Sequence, residues 1–140
     1  MAKCQRFSFH DGLTVVAPGA LQTTSVVGEA LSVGVVKFTA PGARELPVKE
    51  HAHGEEASLQ IYGGCVIAQG IAAEGAPLHE VTTEPGTVMF VPADHPHYGH
   101  NTYDARGLSV RLNVVTPPRA DFGTKGHARA TYHALEEKEA

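Results

Sequence analysis

"GTVMFVPADHPHYGHN", residues 86–101, places three histidines within six positions, directly behind a short apolar run. The run reads as a strand entered from a glycine and ended by a proline, and "ADHPH" reads as a turn, because Asp and Pro favour turn backbones. Three imidazoles crowded into one turn call for a shared partner. A second histidine-rich stretch upstream, "HAHGEEASLQIYGG", residues 51–64, points to the same partner. In an extended strand, residues i and i+2 project from one face about 7 Å apart, so His51 and His53 can address a single ion above that face. On a helix the same spacing would splay them. Pro47 just upstream and the β-rich run downstream favour extension, and one site built from both clusters accounts for five of the chain's nine histidines.

Working outward, 140 residues are one domain's worth, enough to bury a core without staples. We read residues 1–140 as a single domain. The net charge is −4 with histidine neutral and the pI is about 6.1, with no lysine- or arginine-rich stripe. Nucleic acid and anionic membrane are therefore not expected partners. The first twenty residues contain no apolar core of signal-peptide length, and no later stretch approaches the roughly 18 apolar residues of a membrane span. The expectation is a soluble, cytoplasmic protein. Cys4 and Cys65 are far apart and form no CxxC pair, so they read as plain thiols.

Fifteen glycines and nine prolines punctuate the chain every ten residues or so, at "APGA", "IYGG", "EPG", "PADHP" and "TPP". Regular breaks of this kind suit many short strands better than helices. Between them lie β-rich runs, of which "LSVRLNVVTP" is the clearest. Leu108, Val110, Leu112 and Val114 fall on one face of it, and Ser109, Arg111 and Asn113 on the other. Only the end, "ARATYHALEEKEA", has helix-forming composition, and it is read as a short C-terminal helix or tail. The fold class is all-β, an antiparallel sandwich or small barrel, with the jelly roll as one way of closing it.

The two histidine segments resemble the paired signature motifs of the cupin superfamily. The second motif matches at Gly86, Pro92, His97 and Asn101 with every spacing kept, and departs only where Asp94 replaces an inner glycine. The first, at 51–64, matches at His51, His53 and Gly64. Its leading glycine would fall at Glu45, whereas the nearest glycine is Gly42. Its glutamate, expected after three or four intervening residues beyond His53, falls at Ala57 or Ser58 and is missing. Glu55 and Glu56 stand one or two residues early and read as solvated loop charges. Gln60 is the candidate replacement ligand, but strict alternation from His51 points it outward, so an inward Gln60 requires a bulge near Gly54.

The resemblance implies a single-domain jelly-roll barrel and a homodimer. It also implies one divalent transition metal (iron, zinc, manganese, nickel or copper) held by His51, His53 and His97, with Gln60 as the fourth ligand. Imidazoles suit all of these metals, and an incomplete protein ligand set leaves positions open for substrate. Tyr98 and His100, flanking His97, and Glu56, beside the first cluster, are candidate acid–base groups. Arg111 can hold a substrate carboxylate if its strand face is the pocket face. The function this implies is a metal-dependent enzyme acting on a small organic acid, carbonyl or phenolic compound, with dioxygenase ahead of isomerase, lyase or cyclase. A small-molecule binding or sensing module is the alternative, since residues 51–64 also look like the cupin of AraC-type regulators; too little chain follows for their DNA-binding domain.

Overall fold

The computed structural model of the chain describes residues 4, 6–8, 14–17, 21–40, 53–71, 77–101, 108–119 and 128–131. Ten strands cover them in the order β1 (Thr14–Ala17), β2 (Leu21–Val27), β3 (Ser32–Phe38), β4 (Glu55–Tyr62), β5 (Cys65–Ile71), β6 (Pro77–Thr83), β7 (Val88–Val91), β8 (His97–Asn101), β9 (Ser109–Thr116) and β10 (Ala128–Thr131). Among the described residues there is no α-helix, and so no helix long and apolar enough to cross a membrane. Most strands fall where the β-branched runs lie and many breaks fall on glycines and prolines; β8 is the exception, since His97–Asn101, expected in a turn, pairs with β5 as a strand. The β4–β5 hairpin, for instance, turns through Gly63 at a φ of 67°, a backbone that glycine adopts without a Cβ penalty.

Two sheets face one another. The larger runs β1-β2-β3-β9-β4-β7, with β10 also on β2, and the smaller runs β6-β5-β8. Every pairing is antiparallel except β10 on β2, which is parallel. The start of the segment expected to be a terminal helix is thus a strand. A free edge of β2 offers unpaired backbone groups to Ala128–Thr131, and pairing outweighs a weak local helix preference; residues 132–140 lie outside the described residues.

Between the sheets, Phe38, Cys65, Ile67, Met89 and Val91 form the apolar core. Burying a side chain the size of Phe38 or Ile67 contributes about 2 kcal/mol. Much of the rest of the interior is polar. Glu56, Ser58 and Gln60 of β4 and Ser109, Arg111 and Asn113 of β9 are all buried. The alternation in "LSVRLNVV" is therefore real, but its polar face is the inner one. Its apolar face looks outward, where Val110, Leu112 and Val114 are only half-buried.

Candidate metal centre

His53 ends the approach to β4, and Gly54 forms a bend before the strand begins at Glu55. A Cβ on Gly54 would sit 2.2 Å from the carbonyl oxygen of Thr116 and 2.7 Å from Pro117 Cδ, so only glycine passes beside the end of β9. The bend shifts the alternation by one residue. Glu56, Ser58 and Gln60 turn inward as a result, where strict alternation from His51 would have turned Glu55, Ala57 and Leu59 inward.

On the opposite sheet, β8 presents His97. The turn that leads into it holds Asp94 at a φ of 61°, in the left-handed region that Asp tolerates better than most residues. This explains how Asp stands where the motif has glycine. The opening glycine of the same motif, Gly86, also has positive φ, 84°. The Asp94 amide donates to the carbonyl of His53 at 2.8 Å, which ties the two histidine segments together.

His53, Glu56 and His97 converge, with ligand atoms all within 4.8 Å of one another. Glu56 Oε2 lies 3.0 Å from His53 Nε2 and 3.8 Å from His97 Nε2, with all three side chains almost fully buried. The imidazole rings stand at 89° with centroids 4.7 Å apart. Each ring is oriented from behind. His53 Nδ1 lies 2.8 Å from the carbonyl oxygen of Gly54, and His97 Nδ1 lies 2.8 Å from that of His95. A carbonyl only accepts, so Nδ1 carries the hydrogen and Nε2 keeps its lone pair for the centre.

Three lone-pair donors facing one point repel unless a cation lies between them. Donors each about 2.1 Å from one ion sit roughly 3.0 to 3.4 Å apart, a spacing bracketed by the two distances to Glu56. The donor set therefore fits a divalent transition ion. Without metal, protons on the imidazoles fill the same role. Burial alone would raise the Glu56 pKa. Hydrogen bonds from His53 and His97, the Arg111 charge and the Ser58 hydroxyl outweigh it and hold the carboxyl far below its ordinary range.

Several sequence expectations change here. Glu56 is not a loop charge but the second residue of β4, 2% exposed and at the heart of the group. The carboxylate of the first motif is thus present, one residue early. Gln60 does turn inward, but it is not placed as the missing ligand. Its Nε2 donates to the Tyr62 carbonyl at 2.7 Å and to Ser109 Oγ at 2.8 Å, while its Oε1 accepts from Thr83 at 3.0 Å. Arg111 is inside, not solvated, and its guanidinium is already held. Nε donates to Asn113 Oδ1 at 3.2 Å, Nη1 to Cys65 Sγ at 2.9 Å, and the group lies 5.8 Å from the centre of the Phe38 ring. It serves as a fixed counter-charge for Glu56 and is not a loose clamp for a ligand.

Tyr98 is buried, but it follows His97 directly in β8, so alternation puts it on the other face of the strand. His100 pairs with Val66 through the backbone of the same strand. His51 lies outside the described residues. The signal that would have found Glu56 is the Gly54 bend, which the sequence flags only as a glycine.

No protein-family model matches the sequence. No curated protein matches it either. Solved structures do. An RmlC-like cupin from Shewanella frigidimarina is 20% identical, with a TM-score of 0.61 over 87% of this chain and 99% of that one. KdgF from Halomonas sp. is 19% identical, with a TM-score of 0.59 over 80% of this chain and 93% of that one. A mutant oxalate decarboxylase from Bacillus subtilis is 20% identical, with a TM-score of 0.60 over 79% of this chain but only 28% of that one. Two facing antiparallel sheets, histidines delivered by both and these structural likenesses lead to one conclusion: the chain has the cupin fold.

Proposed function

We propose that this chain is a metal-dependent enzyme in which His53, Glu56 and His97 hold one divalent transition metal that acts on a small oxygen-rich organic acid, carbonyl or phenolic compound. The carrying observation is the convergence of two Nε2 lone pairs and one carboxylate oxygen on a single buried point. Among the described residues the donors are two histidines and one carboxylate, with His51 the further imidazole that the sequence offers, and such a set with positions left open suits iron(II), which favours a dioxygenase with dioxygen as co-substrate. The bound metal would supply Lewis acidity toward a substrate oxygen and, as iron(II), redox chemistry with dioxygen. The chain's own residues orient the ligands through the Gly54 and His95 carbonyls and neutralise Glu56 with Arg111.

The test is elemental analysis of the wild type beside His97→Ala and Glu56→Ala, each checked for folding, followed by oxygen uptake with a panel of keto acids, diketones and catechols. Near-stoichiometric iron that both variants lose, together with substrate-dependent oxygen uptake, is expected. Zinc in its place would move the reading to Lewis-acid isomerase or lyase chemistry. Metal content indifferent to both substitutions would overturn it and leave a small-molecule binding module.

We also propose that the protein is a homodimer through the outer face of the larger sheet. Register sets two apolar rows across it, Val26–Val33–Val114–Ala57–Phe90 and Val35–Leu112–Leu59–Val88. At the β2–β3 end, Phe7 and Ser8 border a cavity of about 230 Å³ over these rows. Exposure rises toward β7, reaching 57% at Val88 and 68% at Phe90. The rows carry no charge, so a two-fold axis can lay this face on its own copy without like-charge contacts.

A further inference from the structure

Glu56 offers only one of its two oxygens to the histidines. The other, Oε1, lies 2.7 Å from Ser58 Oγ, and Ser58 Oγ lies 2.5 Å from Asn113 Oδ1, which in turn accepts from Arg111 Nε at 3.2 Å. Every member of this chain is buried: Ser58 to 1% exposure, Asn113 to 6%, Arg111 to 3%. The far end is anchored. Arg111 Nη1 donates to Cys65 Sγ at 2.9 Å, and a Cβ at Gly99 would come within 2.5 Å of Nη1 and 3.1 Å of Nη2, so the guanidinium is seated against bare backbone of β8. Ser58 and Asn113 face each other directly across the β4–β9 ladder, which fixes their spacing by register and not by side-chain choice.

We propose that Ser58 and Asn113 are positioning residues of the metal centre. They hold Glu56 Oε1 away from the histidines, so that the carboxylate ligates through Oε2 alone: the Ser58 hydroxyl donates to Oε1, and Asn113, held by Arg111, backs the serine from directly across the ladder. The inference rests on His53, Glu56 and His97 being the metal site. Ser58 has a single hydroxyl hydrogen and two oxygen acceptors in reach. An ionised carboxylate is the stronger acceptor, and Asn113 Oδ1 is already supplied by Arg111. The hydrogen therefore goes to Glu56, and Oε1 is occupied by a donor that a metal would have to displace to be bound by both oxygens. One-oxygen ligation leaves an additional position open for substrate. A carboxylate freed from Ser58 can swing to two-oxygen ligation and close that position.

Cobalt(II) is the probe, because its visible absorption reports coordination number. Its dissociation constant and spectrum are measured on full-length wild type, Ser58→Ala, Ser58→Thr and Asn113→Ala, with His97→Ala as the control for the site itself. Ser58→Ala is expected to weaken cobalt binding roughly ten- to hundredfold, the range for groups that orient metal ligands. It should also lower absorption intensity as the coordination number rises, and Ser58→Thr should restore both. Asn113→Ala should move the same two readouts in the same direction, and it decides the matter alone if Ser58→Ala does not fold. Wild-type affinity and spectrum in folded Ser58→Ala and Asn113→Ala, with binding abolished in His97→Ala, would overturn this proposal and leave the metal site standing. Cobalt binding that survives in His97→Ala would overturn the site, and this proposal with it.

Discussion

The amide of Asp94 donates to the carbonyl of His53 at 2.8 Å, and Asp94 holds a left-handed backbone with a φ of 61° to do so. One backbone hydrogen bond thus joins the turn before His97 to the approach of β4, and the separation of the two imidazoles depends on it.

Asp94→Gly should leave stability within about 0.5 kcal/mol of wild type, since glycine relieves the left-handed backbone and loses about as much in chain entropy. Asp94→Val should cost about 1 to 2 kcal/mol and weaken metal binding as the turn drifts from His53. Urea unfolding together with metal titration of both variants checks this; equal behaviour of the two would contradict the strain argument.

Gly54→Ala places a methyl 2.2 Å from the Thr116 carbonyl oxygen, a contact relieved only by moving backbone. A cost of about 1 to 3 kcal/mol or more is expected. Because the Gly54 bend sets which residues of β4 turn inward, metal should be lost along with stability. A folded Gly54→Ala variant with full metal occupancy would show that the inward turn of Glu56 does not depend on that bend.

Glu56 is held below its ordinary value of 4.5 in the folded protein. A carboxyl depressed on folding contributes stability above its unfolded pKa, and that contribution drains away as pH falls below it toward the folded value. Metal-free wild type should therefore lose stability from about pH 4.5 downward, and Glu56→Gln should show a flatter acid limb. Unfolding free energies between about pH 3 and pH 6 in the presence of a chelator give the comparison; parallel curves would refute it. With metal present, affinity should fall as the solution is acidified, because protons compete for the histidine nitrogens.

Phe90 is 68% exposed on β7, the end strand of the larger sheet's path. Phe90→Asp should shift the protein from dimer to monomer in light scattering without changing its metal content. A monomeric wild type would refute the proposed interface.

The sequence by itself determined most strand positions, since β-branched runs mark them and turn-forming glycines and prolines mark many of the breaks, but β8, with Gly99 inside it, reads as part of a turn. It also determined the turn ahead of His97 and the pairing of two histidine segments at one site. It could not decide which face of a strand looks inward. In β9, alternation separates Arg111 and Asn113 from Leu112 and Val114 equally well either way round, and ordinary hydrophobic reasoning would bury the leucine. Only the opposing sheet, with Cys65 and Gly99 receiving the guanidinium, settles that the polar face is inside. Likewise Glu56 is one residue from where the motif leads one to look, and whether it is a loop charge or a ligand turns on a shift at Gly54. That shift occurs where the Thr116 carbonyl, from a strand far along the chain, leaves room only for glycine. Period-two alternation encodes two faces, and long-range packing chooses between them.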